Sequence, residues 1–323
     1  DLRAAIDASP ESEGLWTTLV RVLERRHGPG PASCAASAAI AIGHPASLFE
    51  GGVASRSEAL GEPKVPLSAV VDSIVAPQGL PLTVRRLFSL CEHSFDKALP
   101  FDAGAWRLRR PSGPHRGLIE EAGAVAEALG ISEPRLKVTY VAPAACMPIA
   151  GDPPTLVIGG NLHEMTTSRE RVFLFARALK VAGNHLAPAL RAPPEALDAA
   201  LLALLQGHGG SPGQQSEPRQ LQELRKRLLK GVPRRWRDEV DSLVLELRGN
   251  SGFSTRAVPF AISELGDRVA LTLTGDVPSA VNALLKIAGH DVPAGDTSRL
   301  SAVRKTPEAW AVVRFAISDA HFE

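Results

Sequence analysis

His163-Glu164 is the only His-Glu pair in the chain, and a zinc helix of the HExxH kind would need a second His where Thr167 stands. Two imidazoles one helical turn apart are what let one face of a helix grip zinc, and no other pair among the nine His shows ligand spacing. The simpler role for Asn161 to Ser168 is a loop ending in a helix cap, with Thr167 or Ser168 as N-cap and Glu170 or Arg171 in the first turn. Gly159-Gly160-Asn161 and the glycines from Gly207 to Gly213 lack the Lys-Ser/Thr ending of a phosphate loop and the GxGxxG pattern after a strand. Neither Ser nor Cys sits in a nucleophile-elbow sequence. Asp238, Glu239 and Asp241 are carboxylates on one amphipathic stretch, which suits a solvated face better than an acid/base pair.

One charged cluster stands out. Arg225, Lys226, Arg227, Lys230, Arg234, Arg235 and Arg237 surround Leu228, Leu229, Val232 and Trp236. They could meet an anionic partner, with Trp236 available for stacking. The alternative is an amphipathic helix whose cations favour its C-terminal end before Gly231-Val232-Pro233. Arg85, Arg86, Arg107, Arg109 and Arg110 form a second, looser set. The whole chain balances 36 Lys+Arg against 35 Asp+Glu. That gives no global pull toward nucleic acid or an acidic membrane, and it argues against nucleic-acid binding.

The elements that must position these residues read as mostly helical. The chain has 323 residues, 44% of them hydrophobic, enough for one large domain or two modest ones. No stretch approaches the roughly 18 apolar residues of a membrane span. Three widely spaced cysteines, Cys34, Cys91 and Cys146, suit neither a disulfide framework nor a zinc knuckle, and a reducing cytoplasm is expected. Asp1-Leu2-Arg3 offers neither an initiator Met nor a signal peptide, so the native N-terminus is expected to lie further upstream. Eight of the basic residues are Lys, there is one Tyr, and Ala, Gly, Pro and Arg abound, the composition of a high-GC bacterial gene.

Asp1 to Ala8 reads as the last turns of a helix stopped by Ser9-Pro10. A second helix runs from Leu15 to Arg26 with Leu15, Trp16, Leu19, Val22 and Leu23 as its apolar stripe, broken by Gly28-Pro29-Gly30-Pro31. A third helix of small residues covers Ala32 to Ile42. Residues 48–66 read as a linker. Beyond it, helices are expected over 67–75, 82–99, 118–129, 169–190, 197–205, 221–229, 258–273, 278–288 and 310–317. Strands are expected over 136–141 and 155–158, with Ala142 to Pro154 a proline-rich loop between them. Leu271 to Thr274 alternates like a strand, but Ile262, Leu265, Val269 and Leu273 keep helical steps up to Gly275.

Two resemblances follow from these residues. Ala5 and Ile6 before Ser9-Pro10-Glu11, Trp16 with Leu19, and Ala35, Ala36 and Ala39 make residues 1–47 similar to the end of a tetratricopeptide array. Only about one and a half repeats are present where about three are needed for stability, so the array continues before Asp1 or the unit packs on the next domain. An ordinary helical hairpin remains the alternative. From Leu136 to Ala288 the order of parts resembles the gluzincin metallopeptidases of the CAAX-prenyl-protease type. The pieces that carry it are the strand pair, Glu170 to Val181, Ser263 to Arg268, Gly275-Asp276 and Ala280 to Lys286.

The resemblance maps HExxH onto Arg177, Ala178 and Val181, and the third ligand onto Ser263, with Glu264 one residue off. Arg and Val cannot bind zinc, and Ala cannot act as a base. The fold expected is therefore mainly α with a small β element (α+β), a tetratricopeptide-like hairpin followed by a degenerate zincin-like helical domain over 67–323. The function expected is a non-catalytic interaction scaffold or adaptor without a cofactor, contacting protein partners through Trp16 or the basic segment, or acting as a subunit of a large bacterial assembly. A retained edge strand at Thr155 to Ile158 would let an extended peptide add beside it. The alternatives are a peptidase with a rearranged metal site built from His163, Glu164 and Glu264, and a binder of an anionic partner through residues 225–237.

Overall fold

The computed structural model describes residues 1–49, 75–206, 219–290, 292 and 296–322. The linker expected over 48–66 and the helix expected over 67–75 fall almost wholly outside them, as does the Gly/Ser/Gln-rich stretch from 207 to 218. The described residues form a mainly helical chain with one small sheet.

Three helices open it: α1 (Leu2–Ala8), α2 (Glu13–His27) and α3 (Pro29–Ile42). On α2, Trp16, Leu19, Val20 and Leu23 recur at steps of three and four and are all buried. Gly28, at φ +86, separates α2 from α3. The Gly-Pro-Gly-Pro run that reads as a break becomes the first turn of α3, because Pro at the first helical position gives up only a donor that had no partner. Ala32, Ala35, Ala36, Ala38, Ala39 and Ala41 are buried over most of the circumference of α3, and Ser33, Ser37 and Ile40 on the remaining side are half-buried. A helix apolar on all sides has to be enclosed, and α3 lies between α2 and the C-terminal helices.

The middle of the chain gives α4 (Leu82–Ala98), α5 (Arg116–Ala128), β1 (Arg135–Thr139), β2 (Cys146–Ile149), β3 (Thr155–Gly159), the one-turn α6 (Leu162–Met165) and α7 (Ser168–Gly183). The strands align in the order β1-β3-β2, with β1 parallel and β2 antiparallel to β3. Two expectations change here. The stretch from Ala142 to Pro154 is not only loop, because β2 lies inside it; Pro148 is tolerated there since β2 sits at the sheet's edge. β3 is central and hydrogen-bonded on both sides, so Thr155 to Ile158 present no open edge to a peptide. Gly159 is dictated by crowding, since a Cβ there would lie 1.9 Å from the Pro143 carbonyl oxygen.

Then follow α8 (Ala187–Arg191), α9 (Pro194–Gln206), α10 (Arg219–Gly231), α11 (Arg237–Gly249), α12 (Val258–Thr274), α13 (Val277–Ile287), α14 (Asp296–Lys305), α15 (Pro307–Ala316) and α16 (Asp319–Phe322). The single long helix expected over 169–190 is two. α7 ends at Gly183, His185 takes φ +61, and the Leu186 N–H returns to the Val181 carbonyl before α8 begins. Leu271 to Thr274 are helical, the last turn of α12.

The N-terminal helices do not stand apart. Arg299 Nε of α14 donates to the Ala41 carbonyl (2.7 Å), and its Nη2 donates to Asn282 Oδ1 (2.7 Å). Arg3 ion-pairs with Asp319 and donates to the Ile317 carbonyl, while Trp310 Nε1 donates to Asp7 Oδ1 (3.0 Å). One continuous apolar core runs from Ile6 to Ile317.

Candidate functional site

The most intimate contact between elements is the crossing of α7 and α12. Helix α7 begins with a capping box: Thr167 Oγ1 accepts from the Glu170 N–H (3.3 Å) and Glu170 Oε2 accepts from the Thr167 N–H (2.7 Å). Glu170 is 2% exposed and also holds Lys286 Nζ of α13 at 2.9 and 2.8 Å. The start of α7 is thereby fixed in rotation. A bidentate pair from Arg171 to Glu121 of α5, at 2.6 and 2.7 Å, fixes it on a second side.

That rotation turns Arg177 and Val181, one helical turn apart, toward α12. At the crossing stands Gly266, where a Cβ would meet the Arg177 carbonyl oxygen at 3.0 Å, Arg177 Cγ at 3.1 Å and Val181 Cγ2 at 3.1 Å. Arg177 Nε donates to Asp267 Oδ1 at 2.5 Å, and its Nη2 donates to Ser263 Oγ at 3.3 Å. The side chains of Arg177 and Asp267 are 10% and 1% exposed. Burial pushes the Asp267 carboxyl up to about 6 against the pull of Arg177, and Glu308 and Glu264 add to the rise. Asp267 Oδ2 is buried without a hydrogen-bond partner. Three of the four degenerate positions read from the sequence, Arg177, Val181 and Ser263, thus meet in space, and Ala178 is buried in the core beside them. Asp267, the carboxylate that binds Arg177, was not singled out as a site residue; its offset of four from Ser263, one helical turn, was the available signal.

These groups do not fit zinc. A guanidinium is a permanent cation without a lone pair to give, Val181 offers only methyl groups, and Ser263 already accepts a hydrogen bond from Arg177. What the cluster can do chemically is hold two helices in register through a buried, charge-assisted hydrogen bond.

The rearranged set of His163, Glu164 and Glu264 is not assembled. His163 sits edge-on to His115, ring centroids 6.1 Å apart, with its Nε2 3.7 Å from Glu164 Oε1. Glu264 is instead bound to Arg268 Nη2 at 2.5 Å on α12. Among the described residues no three His, Cys, Asp or Glu side chains converge as a metal site. The three thiols are reduced, and burial pushes Cys34, Cys91 and Cys146 each up to about 12, which leaves them poor nucleophiles.

Trp16 is corrected as a partner contact. It is fully buried between helices, and its Nε1 donates to the Pro10 carbonyl at 2.8 Å, so none of its surface is left for a partner. The basic segment runs from α10 through a one-turn 3-10 helix, Arg234–Trp236, to the first residue of α11. Arg227, Lys230, Arg234, Arg235 and Arg237 are exposed, whereas Arg225 is half-buried. Trp236 is half-buried, with Arg235 Cζ at 5.0 Å and Arg86 Cζ at 5.7 Å from its ring, so stacking room is already taken by two guanidinium groups. Arg86 also reaches Glu239 on α11 at 2.6 Å, which joins it to this surface.

An open-sided cavity of about 850 Å³ lies where α1, α12 and α15 meet, with Phe260, Arg268, Arg304, Trp310 and Arg314 in its wall. Phe260 is 42% exposed, and Arg304 Cζ stands 5.9 Å over the Trp310 ring. Among the described residues no helix is long and apolar enough to cross a membrane. Comparison of the chain with protein-family models, with curated proteins and with solved structures returns no match.

Proposed function

We propose that the chain is a non-catalytic protein–protein interaction scaffold, the end of a tetratricopeptide-like array joined to a zincin-like helical body whose metal site has been replaced by an ion pair. The observation that carries this is the convergence of Arg177, Val181 and Ser263 around Gly266, with Asp267 holding the guanidinium. Those are the positions that the resemblance assigns to ligands, and their residue types hold helices together instead of activating water. The groove between α1, α12 and α15 supports the binding half of the proposal. It combines an exposed aromatic face with arginines, the residue types that dominate protein interfaces. The partner is a protein, and the cytoplasm is the compartment proposed, which the free thiols suit.

The test has two arms. Metal analysis of the purified chain is expected to give well under one zinc per molecule, and stoichiometric zinc would favour a peptidase. The tagged chain, isolated from its native cells, is expected to carry a defined partner or to sediment within a larger assembly. Phe260→Asp is expected to release that partner without changing the melting temperature. A partner retained by Phe260→Asp would remove the groove from the proposal.

A second reading, an anionic partner bound along α10 and α11, is favoured by one observation. Arg227, Lys230, Arg234, Arg235 and Arg237 have no carboxylate partner among the described residues. Reversing Arg234, Arg235 and Arg237 to Glu is expected to abolish salt-sensitive binding of a poly-glutamate probe, while changing stability by about 0.5 kcal/mol or less per substitution, as for surface changes generally.

A further inference from the structure

From Ala103 to Ile119 the chain carries Arg107, Arg109, Arg110 and Arg116 and no carboxylate. From Pro134 to Gly151 it carries Arg135 and Lys137 and again none. The fold brings these two stretches together at the outer edge of the sheet. Arg109 and Val138 exchange both backbone hydrogen bonds as an antiparallel bridge, at 2.8 and 2.9 Å, on the side of β1 away from β3. Following that register, Arg107 comes level with Tyr140 and Arg110 with Lys137. Thr139 ties the stretches a second time. Its buried hydroxyl donates to the Trp106 carbonyl (2.6 Å) and accepts from the Val141 N–H (3.2 Å).

That anchoring fixes what the surface shows. Tyr140, the only Tyr in the chain, is 54% exposed and Val141 is 56% exposed. Two exposed neighbours in succession mark the point where the alternation of β1 ends. The Tyr140 ring is seated against Gly160, where a Cβ would come 2.2 Å from Cε1, and Arg109 Cζ stands 5.8 Å over it. Arg107, Arg109 and Arg110 are exposed and have no carboxylate partner among the described residues. Asp102, in the adjoining loop, accepts the Ala105 N–H. Counting it, and Lys137 on the other side, leaves four cations against one anion.

We propose that this surface docks an acidic, partly apolar segment of a partner protein. Cations gathered without counter-charges repel one another, and the carboxylates of a partner relieve that cost. Tyr and Arg are among the residues that carry most interface energy, and Val141 adds an apolar contact beside them. A nucleic acid suits the surface less well, since Gly160 and the Arg109 guanidinium already occupy the ring on which a base would stack. The surface shares no element with the groove between α1, α12 and α15, nor with the basic segment of α10 and α11, so it stands or falls apart from both.

The probes are a short peptide of alternating Glu and Leu, its counterpart with Gln for every Glu, and a single-stranded oligothymidylate, each titrated into the full chain by calorimetry. Saturable binding of the Glu peptide that weakens as salt rises is expected, with the Gln peptide and the DNA each weaker by about tenfold or more. Arg107→Glu combined with Arg109→Glu is expected to lower affinity about tenfold or more. Val141→Glu is expected to do the same, and Val141→Lys to keep affinity within about twofold. Both changes at this exposed side chain spare the Tyr140 seat, so melting temperatures are expected to stay unchanged. Phe260→Asp and the triple reversal at Arg234, Arg235 and Arg237 are expected to leave the peptide bound. Absence of saturable binding to the wild type overturns the proposal, as does a Gln peptide or DNA bound as tightly as the Glu peptide. So does binding that survives Val141→Glu, or that is lost with the triple reversal or with Phe260→Asp.

Discussion

Arg177 Nε lies 2.5 Å from Asp267 Oδ1 across the α7–α12 crossing, joining residues 90 positions apart through a contact that is almost wholly withdrawn from water. A buried pair of this kind adds little net stability over a well-packed apolar pair, yet removing one partner leaves the other charge uncompensated. Arg177→Leu is therefore expected to destabilise the chain by about 3–5 kcal/mol at neutral pH. Arg177→Leu combined with Asp267→Leu is expected to recover most of that loss. Urea denaturation of the two single variants and the double variant measures the coupling; additive losses would mean that the two side chains act independently.

The pH dependence follows from the same carboxyl. Asp267 rises on folding from an ordinary 3.8 to about 6, so the native state holds a proton that the unfolded chain has released. Where the native state binds more protons, stability falls as pH rises. The Asp267 contribution is thus fullest below about pH 4, declines between about 4 and 6, and is level above. Asp267→Asn keeps an acceptor for Arg177 but cannot titrate. The stability of wild type relative to Asp267→Asn is expected to decline across that window. A flat difference, followed by urea titration at successive pH values, would place Asp267 in the ordinary carboxylate range.

Gly266 tests how closely the two helices approach. In a helix with open space around it, Gly→Ala stabilises by about 1 kcal/mol, because Ala has the better propensity. Here a Cβ would stand 3.0 Å from the Arg177 carbonyl oxygen and 3.1 Å from Val181 Cγ2, on a stretch of α7 packed from all sides. Gly266→Ala is expected to reverse sign and destabilise by about 1–3 kcal/mol, seen as a lower melting temperature. A gain in stability would show that α7 can yield.

How much of this could be read from the sequence depends on the range of the interaction. Helix α12 was legible because Ile262, Leu265, Val269 and Leu273 repeat at helical steps, and that local rule outweighed the alternation at Leu271 to Thr274. Strand β2 was not, since Cys146-Met147-Pro148-Ile149 carries a proline that only an edge position permits, and edge positions are set by the sheet rather than the strand. The break after Gly183 was hidden because apolar residues continue through Leu186 and Leu190, while the turn depends on His185 adopting a positive φ. At the site, the resemblance put Arg177 and Val181 one turn apart on one helix and Ser263 on another, while Asp267, one turn beyond Ser263, went unremarked. That those residues meet, and that Trp16 spends its N–H on Pro10, are tertiary facts without a local signal.

Rebuilding the ligand set separates a degenerate zinc site from a chance ion pair. If positions 177, 181 and 263 descend from ligands, then Arg177→His, Ala178→Glu, Val181→His and Ser263→Glu together should rebuild a site. His at 177 and 181 would lie one turn apart facing α12, because both native side chains already touch the space over Gly266. Glu at 263 would extend from the position whose hydroxyl now lies 3.3 Å from Arg177 Nη2. Asp267 would remain to accept the outer N–H of the imidazole at 177, the orienting contact that metal-bound His residues ordinarily make. The quadruple variant is expected to bind one zinc per chain, with a higher melting temperature in zinc than in chelator. The melting shift checks folding and binding in one measurement. A folded variant that takes up no zinc would mean that the two helices cross at the wrong angle or separation for a zincin, and the ancestry would fall while the ion pair remained.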